Sequence, residues 1–411
     1  MYIYKTKFFI VMKTLIIAAA LSVSGCHDKA QDTIVPGKSV ETEKPNTNYK
    51  PAFEGQTRIQ GIKTTTALNV EEIVSGLSKP WGIVVLNDGR LLITEKTGTL
   101  RIVDKANKLS QPVTGLPEVN SNGQGGLLDI VADPDFAQNR MLYWVFSERK
   151  DGKNATVVAK GKLANDEKTV ENTQVIYRAE PAYDGTLHYG GRIIFDKDGN
   201  LFVSTGERSD LVTRPQAQQL NSALGKVLKI TKDGKSAPGN PFAGRNDVRP
   251  EIYSYGHRNI QGLALHPETG DLWEGEFGPR GGDEINIIKP GKNYGWPIIT
   301  YGIEYDGKTI GDGITQKEGM EQPVYYWDPV ISPSGMIFYS GDVIPEWKNN
   351  LLIACLSGQH IDRLDIKNNK IAGEERLLGD KNERFRDLAQ GLNGEIYAVT
   401  DSGKVFRISK K

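Results

Sequence analysis

The sequence is poor in cysteine, has no excess of either charge, and shows no long run of helical periodicity. Its two cysteines are Cys26 and Cys355, and 51 basic residues balance 51 acidic ones. A neutral balance excludes the electrostatic footprint of a nucleic-acid-binding protein. HExxH, GxSxG, Walker, CxxC and CxxCH patterns are also absent, which excludes the common zinc, serine, nucleotide and haem motifs. These absences favour a small, buried partner molecule.

The N-terminal residues predict export. An apolar run follows Lys5, Lys7 and Lys13, and it is too short for a lasting transmembrane helix, so residues 1–25 are interpreted as a signal peptide. The run ends in Val-Ser-Gly-Cys, which resembles a bacterial lipobox. We therefore expect a lipid on Cys26 and attachment to a bacterial membrane, facing the periplasm or the exterior. An ordinary signal peptide with an incidental cysteine is the alternative.

The residues after Cys26 differ in composition from the rest of the chain. Residues 26–66 are polar and contain several prolines, which predicts a flexible tether because such a segment cannot bury a core. With Cys26 assigned to lipid, Cys355 has no disulfide partner. It lies in the apolar run LLIACL, so we expect it to be a buried small hydrophobic residue.

From residue 67 to 411 the chain alternates short β-favouring runs with Gly, Asn and Asp turns. Residues 88–103 (DGRLLITEKTGTLRIV) and 393–408 (NGEIYAVTDSGKVFRI) nearly repeat each other, and each predicts the inner hairpin of a propeller blade. Weaker copies begin near residues 140, 198, 269 and 350. These units predict an all-β, six-bladed β-propeller whose matching ends close the ring. A β-sandwich or a parallel β-helix is the alternative.

The densest group of functional residue types lies between Tyr255 and Trp296. Arg258 can donate two hydrogen bonds to one acceptor, and Asn259 beside it offers a donor and an acceptor. Asp283 and Glu284 follow several glycines and carry the hard oxygen ligands that calcium prefers. The alternative is a glycine-rich surface loop with solvated charges.

His188 is the candidate general base among five histidines. It lies between glycines in GTLHYGGR, and a neutral imidazole there would accept a proton near working pH. Glu207 would orient and support it. In a propeller the loops converge over the central channel, so we expect these two residues to meet Gln124, Arg258 and Arg386 at one mouth. A lone loop histidine is alternatively a hydrogen-bonded turn residue.

The motifs GQGGLLDIVADPDF, HYGGR, YGHRNIQGLA, GPRGGDEIN, NYGWP, YYWDPVISPSGM and RFRDL together resemble the soluble pyrroloquinoline-quinone (PQQ) dehydrogenases of the aldose sugar dehydrogenase type. The resemblance covers nearly all of the chain after about residue 70. It implies a six-bladed propeller that holds PQQ with calcium over its channel and oxidises the C1 hydroxyl of aldoses to lactones. The sequence does not identify the electron acceptor, for which a cytochrome and the membrane quinone pool are the alternatives.

The resemblance assigns roles to individual residues. His188 would be the base, Glu207 its supporting carboxylate, and Arg258 the group that stabilises charge on the quinone oxygen. The implied cofactor contacts are Gln124, Arg258, Asn259, Tyr305, Trp327, Ser357, Arg384 and Arg386. The implied calcium ligands are Gly278 and Pro279 at a catalytic ion and Glu284 and Tyr294 at a structural one, with Asp283 as a further candidate.

The chain departs from the family at two positions. Relatives commonly carry a lysine in the loop where this chain reads CLSGQ, with Ser357 in its place, so one cation for PQQ is missing. Phe277 replaces a polar residue. Two alternative functions therefore stay open: a calcium-dependent lactonase propeller, and a non-catalytic propeller that binds sugar or protein and has lost PQQ.

Overall fold

The computed structural model describes residues 37–411. The expected signal peptide and Cys26 lie outside these residues. The regular secondary structure of the described chain is almost entirely β-strand, with one short helix, α1 (Phe136–Asn139), and three 3₁₀ turns at Arg214–Gln218, Pro345–Trp347 and Gly379–Lys381. No helix in residues 37–411 has the length and apolar character to cross a membrane.

The strands form six antiparallel sheets, the blades, in chain order. Blade 1 contains β2 (Pro80–Val85), β3 (Leu91–Glu95) and β4 (Thr99–Val103). Blade 2 contains β5 (Leu127–Ala132), β6 (Met141–Lys150), β7 (Lys153–Leu163) and β8 (Val170–Arg178). Blade 3 contains β9 (Ile193–Phe195), β10 (Leu201–Ser204), β11 (Lys226–Ile230) and β12 (Ile252–Tyr255).

The other three blades follow the same pattern. Blade 4 contains β13 (Ile260–Leu265), β14 (Leu272–Glu276), β15 (Asp283–Ile288) and β16 (Tyr325–Trp327). Blade 5 contains β17 (Pro333–Phe338), β18 (Leu351–Cys355), β19 (Ile361–Lys367) and β20 (Lys370–Leu377). Blade 6 contains β21 (Phe385–Gln390), β22 (Ile396–Thr400), β23 (Val405–Lys410) and, from the start of the domain, β1 (Leu68–Val74).

The first strand of each blade lies on the inside of the ring. Contacts join β2 to β5, β5 to β9, β9 to β13, β13 to β17, β17 to β21, and β21 back to β2. The ring closes because β1 pairs with β23, from Leu68 opposite Lys410 to Val74 opposite Val405. The expected six-bladed propeller with joined ends is confirmed.

One detail of the repeat prediction is wrong. Residues 88–103 contain β3 and β4, and residues 393–408 contain β22 and β23, so both copies are second and third strands and not the inner hairpin. The weaker copies correspond to β6, β10, β14 and β18, again second strands. Second strands such as β3, β14 and β18 are buried at every position. The apolar residues that open each of these strands give the clearest repeat signal for that reason.

β-Bulges lie near the starts of five inner strands, all at one end of the ring, and turn side chains there towards the axis. The pairing of β2, β5, β13, β17 and β21 with the next strand shifts register near the first residues of each. In β21 the shift falls between Phe385 and Asp387 and leaves Arg386 as the extra residue. A bulge re-aims side chains in this way without ending the sheet.

Residues 37–66 differ from the flexible tether that we expected. The backbone N–H groups of Asn46 and Thr47 donate to the Asp328 carboxylate at 2.8 and 2.9 Å. Farther along, Thr64 donates to Glu375 and Thr66 to Glu346. The segment has few apolar residues to bury, but its polar groups bond to carboxylates of the propeller. Cys355, by contrast, is fully buried on β18, as expected.

Candidate cofactor pocket and catalytic group

A cavity of about 300 Å³ lies where the blades converge, at the starts of the inner strands. Every blade contributes to its wall. The lining residues are Lys79, Pro80, Trp81, Lys96, Gly123, Gln124, Tyr189, Gly190, Gln261, Phe277, Leu356, Arg384, Arg386 and Asp401. A larger surface groove of about 660 Å³ lies beside Glu180 and Arg249, and none of the predicted site residues lines it.

His188 and Glu207 form a buried pair in the loops before β9 and after β10. Nδ1 of His188 lies 2.6 Å from Oε1 of Glu207, and the two residues are 4% and 1% exposed. The backbone N–H of His188 donates to Oε1 of Gln124 at 2.8 Å, which fixes a residue with a positive φ of 46°. Burial lowers the pKa of His188 to about 4, helped by the charge of Arg258 and opposed by Glu207. The imidazole is therefore neutral at neutral pH.

Arg258 and Asn259 are buried just before β13. The Arg258 guanidinium donates through Nη1 to the carbonyls of Phe277 (3.0 Å) and Gly278 (2.7 Å). Within residues 37–411, Nε of Arg258 and Nδ2 of Asn259 have no hydrogen-bond partner. Buried donors without partners are rare in native proteins, so these two groups are free to bond to a ligand. Tyr305 is 70% exposed, with its hydroxyl 3.5 Å from Nη2 of Arg258.

Arg384 and Arg386 lie at the same wall of the pocket, as their spacing predicts. Nε of Arg384 and Nε of Arg386 donate to the two oxygens of Asp401, at 3.0 and 3.1 Å. Arg192 lies next to them: its Nη2 donates to the Arg386 carbonyl, and its Nη1 is 2.8 Å from Asp387. Sequence reasoning missed Arg192 and Asp401. The sequence signal that could have revealed each of these two residues is a charged residue inside or next to an apolar strand.

The turn between β14 and β15 contains the first predicted calcium ligands. The N–H of Gly278 donates to Oδ1 of Asp283, whose Oδ2 accepts the N–H groups of Ile331 and Ser332. Three backbone N–H groups therefore bond to the Asp283 carboxylate, and its role as a metal ligand stays a prediction. Gly278 and the buried Pro279 follow each other in this turn.

Glu284 belongs to a second buried group, in blade 4. It lies opposite Glu276 across the β14–β15 pair, and Asn286 lies opposite Glu274. Nδ1 of His257 is 3.4 Å from Glu276 and 3.6 Å from Glu274. Oε2 of Glu274 and Oδ1 of Asn286 have no partner within the described chain. Burial, then the charge of Glu276, raises the pKa of Glu274 to about 7.

These acidic side chains form a candidate metal site. The ligand atoms of His257, Glu274 and Glu276 all lie within 4.8 Å of one another. The ring of Tyr294 stacks on His257 with centroids 4.8 Å apart, and its hydroxyl bonds to Ile287 and Lys289 backbone groups, so that hydroxyl is not available as a ligand. The alternation Glu-Gly-Glu on a strand was the signal that could have revealed Glu274 and Glu276.

Of the predicted cofactor contacts, those that line the cavity are Gln124, Arg384 and Arg386. Arg258, Asn259 and Tyr305 are not among its lining residues, and Trp327 and Ser357 are bonded elsewhere. Trp327 lies on β16, the outer strand of blade 4, where its indole N–H donates to Glu374 of blade 5 at 3.4 Å. It is a core residue between blades. Ser357 is exposed, and its hydroxyl bonds to that of Ser332 at 2.7 Å. From this loop only Leu356 lines the pocket.

The fold and the pocket define a six-bladed propeller with one cation-rich cavity at its axis and a buried histidine–glutamate pair beside it. The model of the Glucose / Sorbosone dehydrogenase family matches residues 77–407. An aldose sugar dehydrogenase of Escherichia coli (strain K12) is 40% identical over 349 residues, which cover 84% of this chain and 93% of the relative. This chain belongs to the Glucose / Sorbosone dehydrogenase family, as its motifs predicted.

Solved structures agree with this membership. The crystal structure of the soluble aldose sugar dehydrogenase from Escherichia coli in the apo-form has a TM-score of 0.80 and 40% identity, covering 84% of this chain and all (100%) of the other. The PQQ-bound aldose sugar dehydrogenase from Streptomyces coelicolor has a TM-score of 0.70 and 30% identity, covering 84% and 99%.

Proposed function

We propose that this protein is a PQQ- and calcium-dependent dehydrogenase that oxidises the C1 hydroxyl of aldoses to lactones. The observation that carries the proposal is the cavity over the ring, where four cationic side chains face one carboxylate, next to the His188–Glu207 pair. The cations are Lys79, Lys96, Arg384 and Arg386, and the carboxylate is Asp401. Such a wall suits an anionic ligand.

The residues fit a planar tricarboxylate quinone. The cavity of about 300 Å³ is at the lower end of the ~300–1,000 Å³ usual for ligand pockets. Nε of Arg258 and Nδ2 of Asn259 are buried donors without partners. Phe277 and Trp81 add apolar wall, and Gln124 adds a polar side chain. PQQ, when bound, supplies the hydride acceptor.

The catalytic roles follow from the hydrogen bonds. Nδ1 of His188 is engaged by Glu207, so Nε2 remains to take the proton of the sugar hydroxyl while the C1 hydride leaves for the acceptor. The Glu207 carboxylate holds the ring in the tautomer with a proton on Nδ1 and stabilises the imidazolium that results. The Arg258 guanidinium supplies positive charge where negative charge develops.

For calcium, we propose the Gly278 and Pro279 carbonyls at the catalytic ion. Because Arg258 donates to the Gly278 carbonyl at 2.7 Å, that oxygen serves a cation only when the guanidinium releases it. For a structural ion we propose Glu284 with Glu274 and Glu276, whose clustered carboxylates fit the hard oxygen ligands that calcium prefers.

The alternatives fit less well. A lactonase needs several carboxylates around one metal in the pocket, but the single lining carboxylate, Asp401, is bound by two arginines. A propeller that binds sugar without PQQ would give the four cationic side chains of the pocket wall no anion to bind.

We further propose that the protein is exported and carries a lipid on Cys26. We propose a cytochrome or the membrane quinone pool as its electron acceptor.

The test is reconstitution of the apoprotein with PQQ and calcium. Spectral binding of PQQ together with dye reduction by aldoses supports the dehydrogenase. Lactone hydrolysis with calcium alone would instead support the lactonase. Sugar binding with no PQQ binding and no turnover would support the non-catalytic propeller. Omission of PQQ and omission of calcium are the matched controls.

A further inference from the structure

Lys96 lies in the turn after β3 and borders the pocket from blade 1. Its Nζ donates to the carbonyl oxygens of Ser121 and Gly123, at 3.0 and 2.6 Å. An ammonium group has three donors, so these two bonds leave one. No carboxylate pairs with Lys96 among the ion pairs of residues 37–411, which separates it from the arginines on Asp401.

The backbone around Lys96 is built to hold its side chain against the pocket wall. The Lys96 N–H donates to the Lys79 carbonyl at 3.0 Å, and the Lys96 carbonyl accepts the N–H of Leu127 at 3.0 Å. Gly126 has a φ of +141°, and a Cβ there would lie 2.2 Å from the Lys96 carbonyl oxygen and 2.6 Å from its Cγ. Only glycine leaves room for the lysine stem, so blades 1 and 2 together fix where the ammonium group lies.

Among the described residues, blade 5 contributes no cation to the pocket wall. In blade 5 the loop after β18 contributes Leu356 to the wall, and the Ser357 hydroxyl is bonded to Ser332. Blade 6 supplies Arg384 and Arg386, whose Nε atoms both bond to Asp401. Lys96 is thus the partly buried cation of the wall that is held by neutral carbonyls and retains a donor for a ligand.

We propose that Lys96 is a carboxylate-binding residue of this pocket, and that it supplies from blade 1 the cation that the loop after β18 does not. This inference rests on the proposed function, because it assumes that the anionic ligand is PQQ. The charge environment agrees. Burial, then the positive charges of Lys79 and Arg386, lowers the pKa of Lys96, as expected for clustered cations without their counter-anion.

The experiment is a titration of PQQ into the calcium-loaded protein, followed by tryptophan fluorescence because Trp81 lines the pocket, with equilibrium dialysis as a second measurement. Lys96→Met removes the charge, while Lys96→Gln keeps a neutral donor for the Ser121 and Gly123 carbonyls. We expect the Kd for PQQ to rise about 10- to 100-fold in both, the scale of a lost hydrogen bond to a charged group. Lys96→Arg should bind within a few-fold of wild type.

The matched control is Lys105→Met. Lys105 is exposed after β4, at the other end of blade 1, and its loss changes net charge equally; its Kd should equal that of wild type. Lys96→Gln that binds PQQ as tightly as wild type overturns the role of Lys96 and leaves the proposed function intact. Wild type that does not bind PQQ overturns the proposed function itself. The glutamine variant keeps the test decisive if the methionine variant fails to fold.

Discussion

Nδ1 of His188 and Oε1 of Glu207 are 2.6 Å apart in a setting almost closed to solvent. The short bond settles which ring nitrogen faces the carboxylate and which remains for chemistry. A base prepared in this way acts without first losing a proton to water. The first two predictions follow from this pair.

Replacement of the base should abolish most turnover and spare cofactor binding. We expect His188→Gln to lower kcat by about 10²-fold or more, measured with saturating PQQ, calcium and aldose. PQQ titration of the same variant should give a wild-type Kd. The control is His266→Gln. His266 follows β13, at the end of blade 4 away from the pocket, so this variant should keep the turnover of wild type. Near-normal turnover in His188→Gln would move the role of base to another group.

The acid limb of the pH–activity profile should lie at a pH far below the usual pKa of histidine. Because burial lowers the pKa of His188 to about 4, the neutral base should persist down to that pH in a profile of kcat/KM. The folded pKa is below the ordinary value, so this group contributes stability that is lost as pH falls from about 6.5 towards 4. In urea denaturation, the free energy of unfolding should fall less between pH 7 and pH 4.5 in His188→Gln than in wild type. An acid limb near pH 6.5 would contradict this.

A lysine introduced at position 357 should strengthen PQQ binding. Ser357 follows Leu356, which lines the pocket, so Ser357→Lys should tighten binding by about 1–3 kcal/mol, the scale of a charge-assisted hydrogen bond. The effect should appear in cofactor titration more than in kcat. Ser357→Met is the uncharged control. Unchanged affinity would reject the assignment of position 357 and leave the dehydrogenase proposal standing.

The N-terminal segment should depend on Asp328. This buried carboxylate accepts bonds from the backbone and side chains of Asn46 and Thr47. Asp328→Ala should lower the free energy of unfolding by about 1–3 kcal/mol and speed chymotrypsin cleavage after Tyr49 and Phe53. Asp342→Ala, which removes an exposed ion pair with Lys348, is the control. Equal cleavage rates in both variants would show that the segment is held by other contacts.

Attachment to a membrane should depend on Cys26. We expect Cys26→Ser to move the protein from the membrane fraction to the soluble fraction, because a bacterial lipoprotein is held by several acyl chains. Cell fractionation and mass spectrometry of the mature N-terminus measure this. A Cys26→Ser protein that still sediments with membranes would reject the lipobox interpretation.

The sequence predicted the architecture because second strands such as β3 and β18 repeat a buried apolar pattern. It predicted His188 and Arg258 because glycines and polar groups surround them in recognisable motifs. It failed for Trp327, since an aromatic residue in a motif looks the same whether it covers a ligand or packs between blades. Asp401 escaped notice because its arginine partners lie across a strand pair within blade 6, and Lys96 and Arg192 because their partners come from other blades. Such neighbours follow from ring geometry, which local patterns do not contain.

The pairing of β1 with β23 also bears on how the protein is made. Arg407 bonds to Glu71 across 336 positions of sequence. The sheet that contains β1 is therefore complete only when β23 is present. A polypeptide that emerges N-terminus first carries an unpaired β1 edge until β23 has been made. Long-range closure of this kind is slow and leaves exposed strand edges meanwhile. Loss of residues 405–410, which form β23, would leave β1 without its partner.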